Sequence, residues 1–241
     1  MPIFRSFALC LGLFLFSGTS HATLISIDSL TAEWINTNPV SGITNSGAGT
    51  SASIYWGDPA TAGGQSGYLF ETVATPIVNE VPPNSGDFLL GSWTHFNNPI
   101  YATTNLPALQ AATLQLTANI SADSSSLGSF NFLYDFTHHE TPNGANPCAN
   151  GGQNNVGVNI NGCADIVDIV FNDLSNSFSV DGTHFTLNLA AGSSKFETIE
   201  KQKNTFDVFA KITASVPTPT TLLLFGLGLF GLGFARTAWK K

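Results

Sequence analysis

The long central part of the sequence has almost no positive charge. No lysine or arginine lies between Arg5 and Lys195, whereas all 16 acidic residues fall between Asp28 and Asp207. Binding to nucleic acid or to anionic lipid needs basic side chains that replace the counterions of phosphate groups. The composition therefore argues against nucleic acid as a partner. A surface that is acidic and rich in Asn, Ser, Thr and Gly is instead compatible with neutral polymers such as extracellular polysaccharide.

Long apolar runs are also lacking, except at the two ends. At the first end, Arg5 precedes an apolar stretch from Phe7 to Phe16, and small residues surround His21. This pattern predicts a secretory signal peptide over 1–22, removed by signal peptidase after Ala22. Cys10 lies too deep in the apolar stretch to become a lipidated N-terminal cysteine. The expected mature body, 23–215, has the size of one large β domain.

The second apolar run lies at the other end of the chain. Val216-Pro217-Thr218-Pro219 is followed by an apolar segment over 221–235 and a basic end over 236–241. A helix satisfies its own backbone polar groups in a bilayer, and about 20 apolar residues span one. The segment has marginal length for a transmembrane helix when the flanking residues are included. Its positive end predicts that the last residues stay cytoplasmic and that the body lies outside.

Cysteine is scarce, since only three are present and Cys10 leaves with the signal peptide. Cys148 and Cys163 enclose a loop rich in Gly and Asn, and in an exported chain this predicts a disulfide. Closing a loop of about 15 residues should stabilise the fold by roughly 3 kcal/mol. The alternative is a zinc site completed by His138 or His139, although the Cys-x-x-Cys spacing of such sites is missing.

The body shows no sustained helical period, whereas apolar residues recur at every second position. Phe130, Phe132, Tyr134 and Phe136 share one face of a strand, and Asp181-Gly182 is typical of a type I′ hairpin turn. Ten strands are expected, around 24–27, 53–56, 68–73, 88–95, 114–120, 130–136, 165–171, 178–180, 185–189 and 205–213. Linker-like segments are expected at 36–51, 75–86 and 141–161.

Many short strands separated by Gly, Pro, Asn and Ser clusters predict an all-β fold. Each sheet must bury one face, so we expect an antiparallel β-sandwich, jelly-roll-like, plus one C-terminal apolar helix. A lipid-facing barrel is the alternative, but it needs an outward apolar band with aromatic girdles on its strands.

Two further segments carry a recognisable pattern. Thr94, His95 and Asn97 form Thr-His-x-Asn, and His138-His139-Glu140-Thr141-Pro142-Asn143 lies just before the paired cysteines. With the three-part tail, these segments resemble the THxN family of PEP-CTERM proteins of Gram-negative bacteria. Thr218 stands where the PEP-CTERM pattern has Glu. The resemblance implies export, transient anchoring in the inner membrane, processing by an exosortase-type enzyme and sorting to the cell surface, with no activity or cofactor attached.

The histidines are the first candidates for chemistry. His139 and Glu140 could form an acid–base pair, but strand geometry places His138 on the aromatic face and His139 on the opposite one. A hydrolase using His139 and Glu140 is therefore a third choice. For Thr94 and His95, a hydrogen-bond network that shapes the turn at 97–99 is favoured over ligand contact.

Calcium and sugar are the remaining candidate ligands. Asp165, Asp168, Asn172 and Asp173 offer the oxygen ligands that calcium prefers, although Asp165 and Asp168 should face opposite ways in a strand. Flat rings could form a sugar-binding platform, but alternating aromatic residues are more often core residues. The candidate rings are Trp34, Tyr55, Trp56, Tyr68 and Trp93.

Together, these features predict an exported, non-enzymatic protein of the cell surface or extracellular matrix, associated with exopolysaccharide. The alternative is a carbohydrate-binding module, with or without calcium. No catalytic residue, metal or other cofactor is assigned from the sequence.

Overall fold

The structure is a computed structural model that describes residues 23–81, 85–171, 177–190 and 195–215. Three predictions lie outside these residues: the signal peptide, the sorting tail with the apolar helix expected there, and the part of the calcium hypothesis that uses Asn172 and Asp173. Within the described part of the chain, no helix combines the length and apolar character needed to cross a membrane.

Fifteen strands and one 3-10 turn make up the described chain. The strands are β1 (Thr23–Asn38), β2 (Thr44–Ser46), β3 (Ser51–Trp56), β4 (Asp58–Pro59), β5 (Ser66–Thr72), β6 (Ile77–Val81), β7 (Phe88–Asn97), β8 (Ile100–Tyr101), β9 (Ala111–Ala122), β10 (Ser125–His139), β11 (Asp165–Phe171), β12 (Ser177–Val180), β13 (Thr183–Leu189), β14 (Lys195–Thr198) and β15 (Gln202–Ser215). The 3-10 turn, Gly157–Asn159, lies in the loop between β10 and β11.

These strands form two large antiparallel sheets. One has six strands in the order β14-β11-β10-β9-β1-β6, and the other has seven in the order β12-β13-β15-β7-β5-β3-β2. A further small pair joins β4 to β8. The inner faces of both sheets contribute to one core, which includes Trp34 and Phe132 from the first sheet and Trp93 and Phe70 from the second. The fold is therefore all-β and sandwich-like, as the alternation of apolar residues predicts.

All ten predicted strands are present, and the hairpin predicted at Asp181-Gly182 is confirmed in detail. Strands β12 and β13 pair from Phe178 opposite Phe185 to Val180 opposite Thr183. Asp181 and Gly182 between them have φ angles of 48° and 78°, as a type I′ turn requires. Phe178 and Phe185 then stack on each other with their centroids 5.4 Å apart.

The sequence prediction missed five strands, β2, β4, β6, β8 and β14, and ended β1 too early. Strand β1 continues from residue 27 to Asn38, but a bulge between Ile27 and Ser29 shifts the alternation, so that Leu30 and Trp34 point inward where odd-numbered residues did before. The linker predicted over 36–51 contains β2. The linker predicted over 75–86 contains β6, an edge strand whose mixed polarity hides its pairing with β1.

The third predicted linker, 141–161, is confirmed as a loop, and Cys148 and Cys163 form the predicted disulfide. A zinc site using these two sulfurs is thereby excluded, because both are in the disulfide. The disulfide fixes the chain immediately before β11, the strand that begins with Asp165. The disulfide loop therefore lies next to the buried Asp165.

Candidate functional site

Ionisable residues are buried together at the end of the sandwich where β7, β10 and β14 end and β11 begins. We call His95, His138, Glu140, Asp165 and Glu200 the polar cluster. The residues His95, Asp165 and Glu200 are 0% exposed, the His138 side chain is also fully buried, and the Glu140 side chain is 18% exposed. Both sheets contribute, since His95 comes from β7 and His138 from β10. Ionisable groups buried in this way need partners or must become neutral.

The imidazole of His95 is held by Thr198 of the opposite sheet. The distance from His95 Nδ1 to Thr198 Oγ1 is 2.9 Å, and the Thr198 hydroxyl lies 3.4 Å from the Asp165 carbonyl oxygen. If the Thr198 hydroxyl donates to that carbonyl, it accepts from Nδ1–H of His95. The lone pair of His95 then lies on Nε2, which is buried and has no hydrogen-bond partner.

The imidazole of His138 is held in a comparable way by Tyr68 of the opposite sheet. Its Nδ1 lies 2.6 Å from the Tyr68 hydroxyl oxygen. Its Nε2 lies 3.4 Å from Glu140 Oε2 and 3.8 Å from Asp165 Oδ2. The two rings of His95 and His138 are nearly perpendicular, at 88°, with centroids 5.2 Å apart.

Asp165 is fixed through one carboxylate oxygen and not through the other. The Thr141 backbone N–H donates to Asp165 Oδ1 at 2.7 Å, whereas Asp165 Oδ2 is buried without a hydrogen-bond partner. The Thr141 hydroxyl also donates to the carbonyl of Cys163, at 2.9 Å. The disulfide loop therefore helps to position Asp165.

Burial raises the pKa of all three carboxyl groups in the polar cluster. The pKa of Asp165 rises well above its usual range through burial and then through the charge of Glu140. Burial raises the pKa of Glu140 to about 7. The nearby Trp56 indole opposes this rise without cancelling it, although no hydrogen bond of good geometry joins the two side chains. Burial and the charge of Glu140 raise the pKa of Glu200 to about 7.

The two histidines shift in the direction that keeps them neutral. Burial lowers the pKa of His138 to about 4, against an opposing effect of Asp165. Burial and the neighbouring His138 lower the pKa of His95 well below its usual range. Both imidazoles are therefore uncharged at neutral pH, and each has one ring nitrogen that can act as an acceptor.

Aromatic rings separate the polar cluster from the rest of the core. The Trp56 ring stacks on His95 with centroids 5.7 Å apart and meets His138 edge-on at 5.1 Å. Trp93 lies next to His95 in the same sheet, with centroids 6.3 Å apart. These rings exclude water from the two imidazoles on that side.

The Thr-His-x-Asn motif has a different role from the predicted one. Thr94 pairs with the Thr205 hydroxyl at 2.9 Å, and the Asn97 amide donates to the Thr198 carbonyl at 2.9 Å. His95 and Asn97 thus tie β7 to β14 across the two sheets. The predicted turn network belongs instead to Asn98, whose amide donates to the carbonyls of Gly63 and Gln65.

Of the predicted site residues, His95, His138, Glu140 and Asp165 belong to the polar cluster. As predicted, His138 continues the inward aromatic face while His139 is exposed on the other side. The predicted pair of His139 and Glu140 does not form, because Glu140 contacts His138 instead. Asp168 points away from Asp165, as strand alternation requires. Four rings of the proposed sugar platform are 0% exposed and belong to the core, and Tyr55 is half-buried.

Sequence reasoning missed Tyr68, Thr198 and Glu200 as parts of the site. Tyr68 and Thr198 lie far along the chain from the histidines that they contact, and Glu200, which accepts a hydrogen bond from Asn143, is in a turn that has no motif of its own. The only available signal was the pair of polar residues, His95 and Asn97, at alternate positions next to Trp93, because all three point toward the core.

Comparison with known proteins adds no further assignment, since no protein-family model matches this sequence and no curated protein is significantly similar to it. The site must therefore be interpreted from its own geometry. Two neutral imidazoles and a carboxylate whose ligand atoms lie within 4.8 Å of one another could hold a metal ion.

Proposed function

We propose that this is an exported, non-enzymatic protein of the bacterial surface or extracellular matrix. The observation that carries the proposal is the burial of the polar cluster, in which His95 and Asp165 are 0% exposed. A general acid or base must come within hydrogen-bond reach of its substrate. Residues buried between two sheets are placed to hold the fold rather than to meet a substrate.

Features of the sequence support the exported location. The signal-peptide pattern over 1–22, the motif from Val216 to Pro219, the apolar segment 221–235 and the basic end fit a chain handled by signal peptidase and an exosortase-type enzyme. The disulfide of the body is typical of an oxidising compartment. On this proposal, a jelly-roll-like sandwich is held briefly in the inner membrane and is then released to exopolysaccharide at the surface.

The location is tested by fractionating the native host and measuring the intact mass of the recovered protein. The expected species begins at Thr23 and ends near Val216 to Pro219, in the surface or extracellular fraction. An intracellular product that retains Met1 and Lys241 would overturn the proposal. An exosortase-deficient strain is the control, because there the tail should remain attached.

The absence of catalysis is tested separately with the purified mature protein. Incubation with panels of glycans and esters should give no turnover above that of a Glu140→Gln variant. Turnover by the wild type that this variant abolishes would show that the polar cluster is reached by substrate. A glycan array with and without chelator tests the carbohydrate-binding alternative, for which the buried aromatic rings give no platform.

A further inference from the structure

The polar cluster contains acceptors without donors at its centre. Nε2 of His95 and Oδ2 of Asp165 are both buried without a hydrogen-bond partner. Leaving a buried acceptor unsatisfied costs about 1 to 3 kcal/mol, and a charged one costs more. These two atoms lie near Nε2 of His138. The arrangement indicates a place for a positively charged group between the three atoms.

The second observation is the way in which both imidazoles are oriented. Nδ1 of His138 meets the Tyr68 hydroxyl at 2.6 Å, and Nδ1 of His95 meets the Thr198 hydroxyl at 2.9 Å. Histidines that bind metals usually donate the N–H of their other ring nitrogen to such a partner, which orients the ring. With Nδ1–H donating to these hydroxyls, Nε2 of each ring has its lone pair available for a metal, and in His138 the metal would replace the 3.4 Å contact between Nε2 and Glu140 Oε2.

We propose that His95, His138 and Asp165 bind one divalent transition-metal ion, with Glu140 as the fourth ligand and zinc as the best fit. Two neutral imidazoles and two carboxylates balance the charge of a divalent ion, and the two carboxyl groups would release their protons when the ion binds. Nitrogen and carboxylate oxygen are ordinary zinc ligands, and a closed set of four protein ligands is typical of structural zinc.

The distances allow His95, His138 and Asp165 to bind one ion after small movements, and Glu140 joins them through its contact with His138. Tetrahedral zinc bonded to ligands at about 2.0 to 2.1 Å places the ligand atoms about 3.3 Å apart. Nε2 of His138 already lies 3.4 Å from Glu140 Oε2 and 3.8 Å from Asp165 Oδ2. The candidate atoms of His95, His138 and Asp165 all lie within 4.8 Å of one another, so the site must contract by roughly 1 to 1.5 Å at its widest.

This site differs from both sites that the sequence suggested. The zinc alternative used Cys148 and Cys163, which form a disulfide. The calcium alternative used Asp168, which points away from Asp165. The imidazole ligands also favour a transition metal over calcium, which prefers oxygen ligands only.

The test uses the mature, disulfide-bonded protein, stripped with chelator and then titrated with Zn²⁺ alone. We expect one zinc per chain by elemental analysis, and a Tm about 5 to 10 °C higher at a hundredfold excess over Kd. Replacement by Co²⁺ should give the intense visible absorption of a tetrahedral site. Failure of the wild type to retain any first-row metal, or to change its Tm, would overturn the proposal.

Variants assign the ligands. His95→Gln and Asp165→Asn should each lower the affinity for Zn²⁺ by at least tenfold. His184→Gln is the matched control and should leave the affinity unchanged, because His184 is exposed and bonds Ser179. If a ligand variant fails to fold, the titration of the wild-type protein with Zn²⁺ still tests the proposal. Equal affinity in His95→Gln and His184→Gln would place the metal elsewhere and contradict the assignment.

Discussion

The middle of the core and its polar end are built from different chemistry between the same two sheets. Around Trp34, Phe132 and Leu116 the core is apolar and fully buried. At the end marked by His95 and Asp165, the same two sheets bury two imidazoles and carboxyl groups as well. Strand β10 contributes to both regions, with Phe132 in the apolar middle and His138 at the polar end, so one strand supports both kinds of packing.

The two regions should respond differently to mutation. In the apolar middle, the free energy of unfolding depends mainly on volume and buried area, and neighbouring residues can partly relax into a gap. At the polar end each atom needs a particular partner, so a change of one atom matters even when the volume stays the same. Substitutions in the two regions test this contrast.

Trp34→Ala should give the largest loss, about 3 to 5 kcal/mol of unfolding free energy, because it removes a fully buried indole. It also removes the hydrogen bond from the indole N–H to the Ala52 carbonyl at 3.1 Å. Urea unfolding of the disulfide-bonded protein measures the effect. Val40→Ala is the control, since Val40 is 88% exposed, and a similar loss there would contradict this view of the core.

Removing the disulfide should cost about 3 kcal/mol, because the unfolded chain regains the freedom of a loop that spans 15 positions. The double variant Cys148→Ala, Cys163→Ala provides the measurement, by urea unfolding. We further expect weaker binding of Zn²⁺, since the loop positions Asp165 through Thr141. A variant with lower stability and unchanged zinc affinity would separate the loop from the polar cluster.

Tyr68→Phe sharpens the contrast because it keeps the ring and removes one oxygen atom. We expect a loss of about 1 to 3 kcal/mol, since Nδ1 of the buried His138 loses its partner at 2.6 Å. Tyr101→Phe is the matched control, because Tyr101 is 63% exposed. Equal unfolding free energies for the two variants would mean that the hydroxyl of Tyr68 has no structural role.

Glu200→Gln tests the pH dependence of the metal-free protein and has the smallest effect. The pKa of Glu200 is about 7 in the folded protein and about 4.5 when unfolded, so its protonated form is favoured by folding. That contribution is complete below pH 4.5 and is lost as pH rises through 7.

Glutamine cannot ionise, and it keeps an oxygen that can accept the hydrogen bond from Asn143, which is 3.0 Å long in the wild type. In the presence of chelator, the variant should therefore match the wild type at pH 4 and exceed it at pH 8 by roughly 1 to 2 kcal/mol, after allowing for screening by solvent. Urea unfolding at both pH values measures this difference. A variant that is less stable than the wild type at pH 8 would show that the ionised carboxylate is stabilised by a partner.

The sequence predicted the fold better than the site, for a physical reason. Strand alternation and turn chemistry are local, so residues such as Phe130 to Phe136 and Asp181-Gly182 reveal β10 and the β12–β13 hairpin directly. The alternation also placed His138 inward and His139 outward. Where a bulge shifts the alternation after Ile27, the local signal fails.

The site depends on contacts between residues that are distant in the sequence. Two segments containing His95 and His138 were recognised separately, but their meeting requires two sheets to pack face to face. The partners that orient these rings, Thr198 and Tyr68, are 103 and 70 residues away from them. No spacing rule in a single sequence predicts such partners.

The most direct test of the buried metal site is anomalous diffraction at the zinc absorption edge from crystals of the mature protein loaded with Zn²⁺. We expect one strong anomalous peak between Nε2 of His95, Nε2 of His138 and the Asp165 carboxylate, at bonding distance from all three. Well-ordered side chains around a position without any anomalous peak would contradict it, and would show that the polar cluster is held by hydrogen bonds between protonated carboxyl groups and imidazoles.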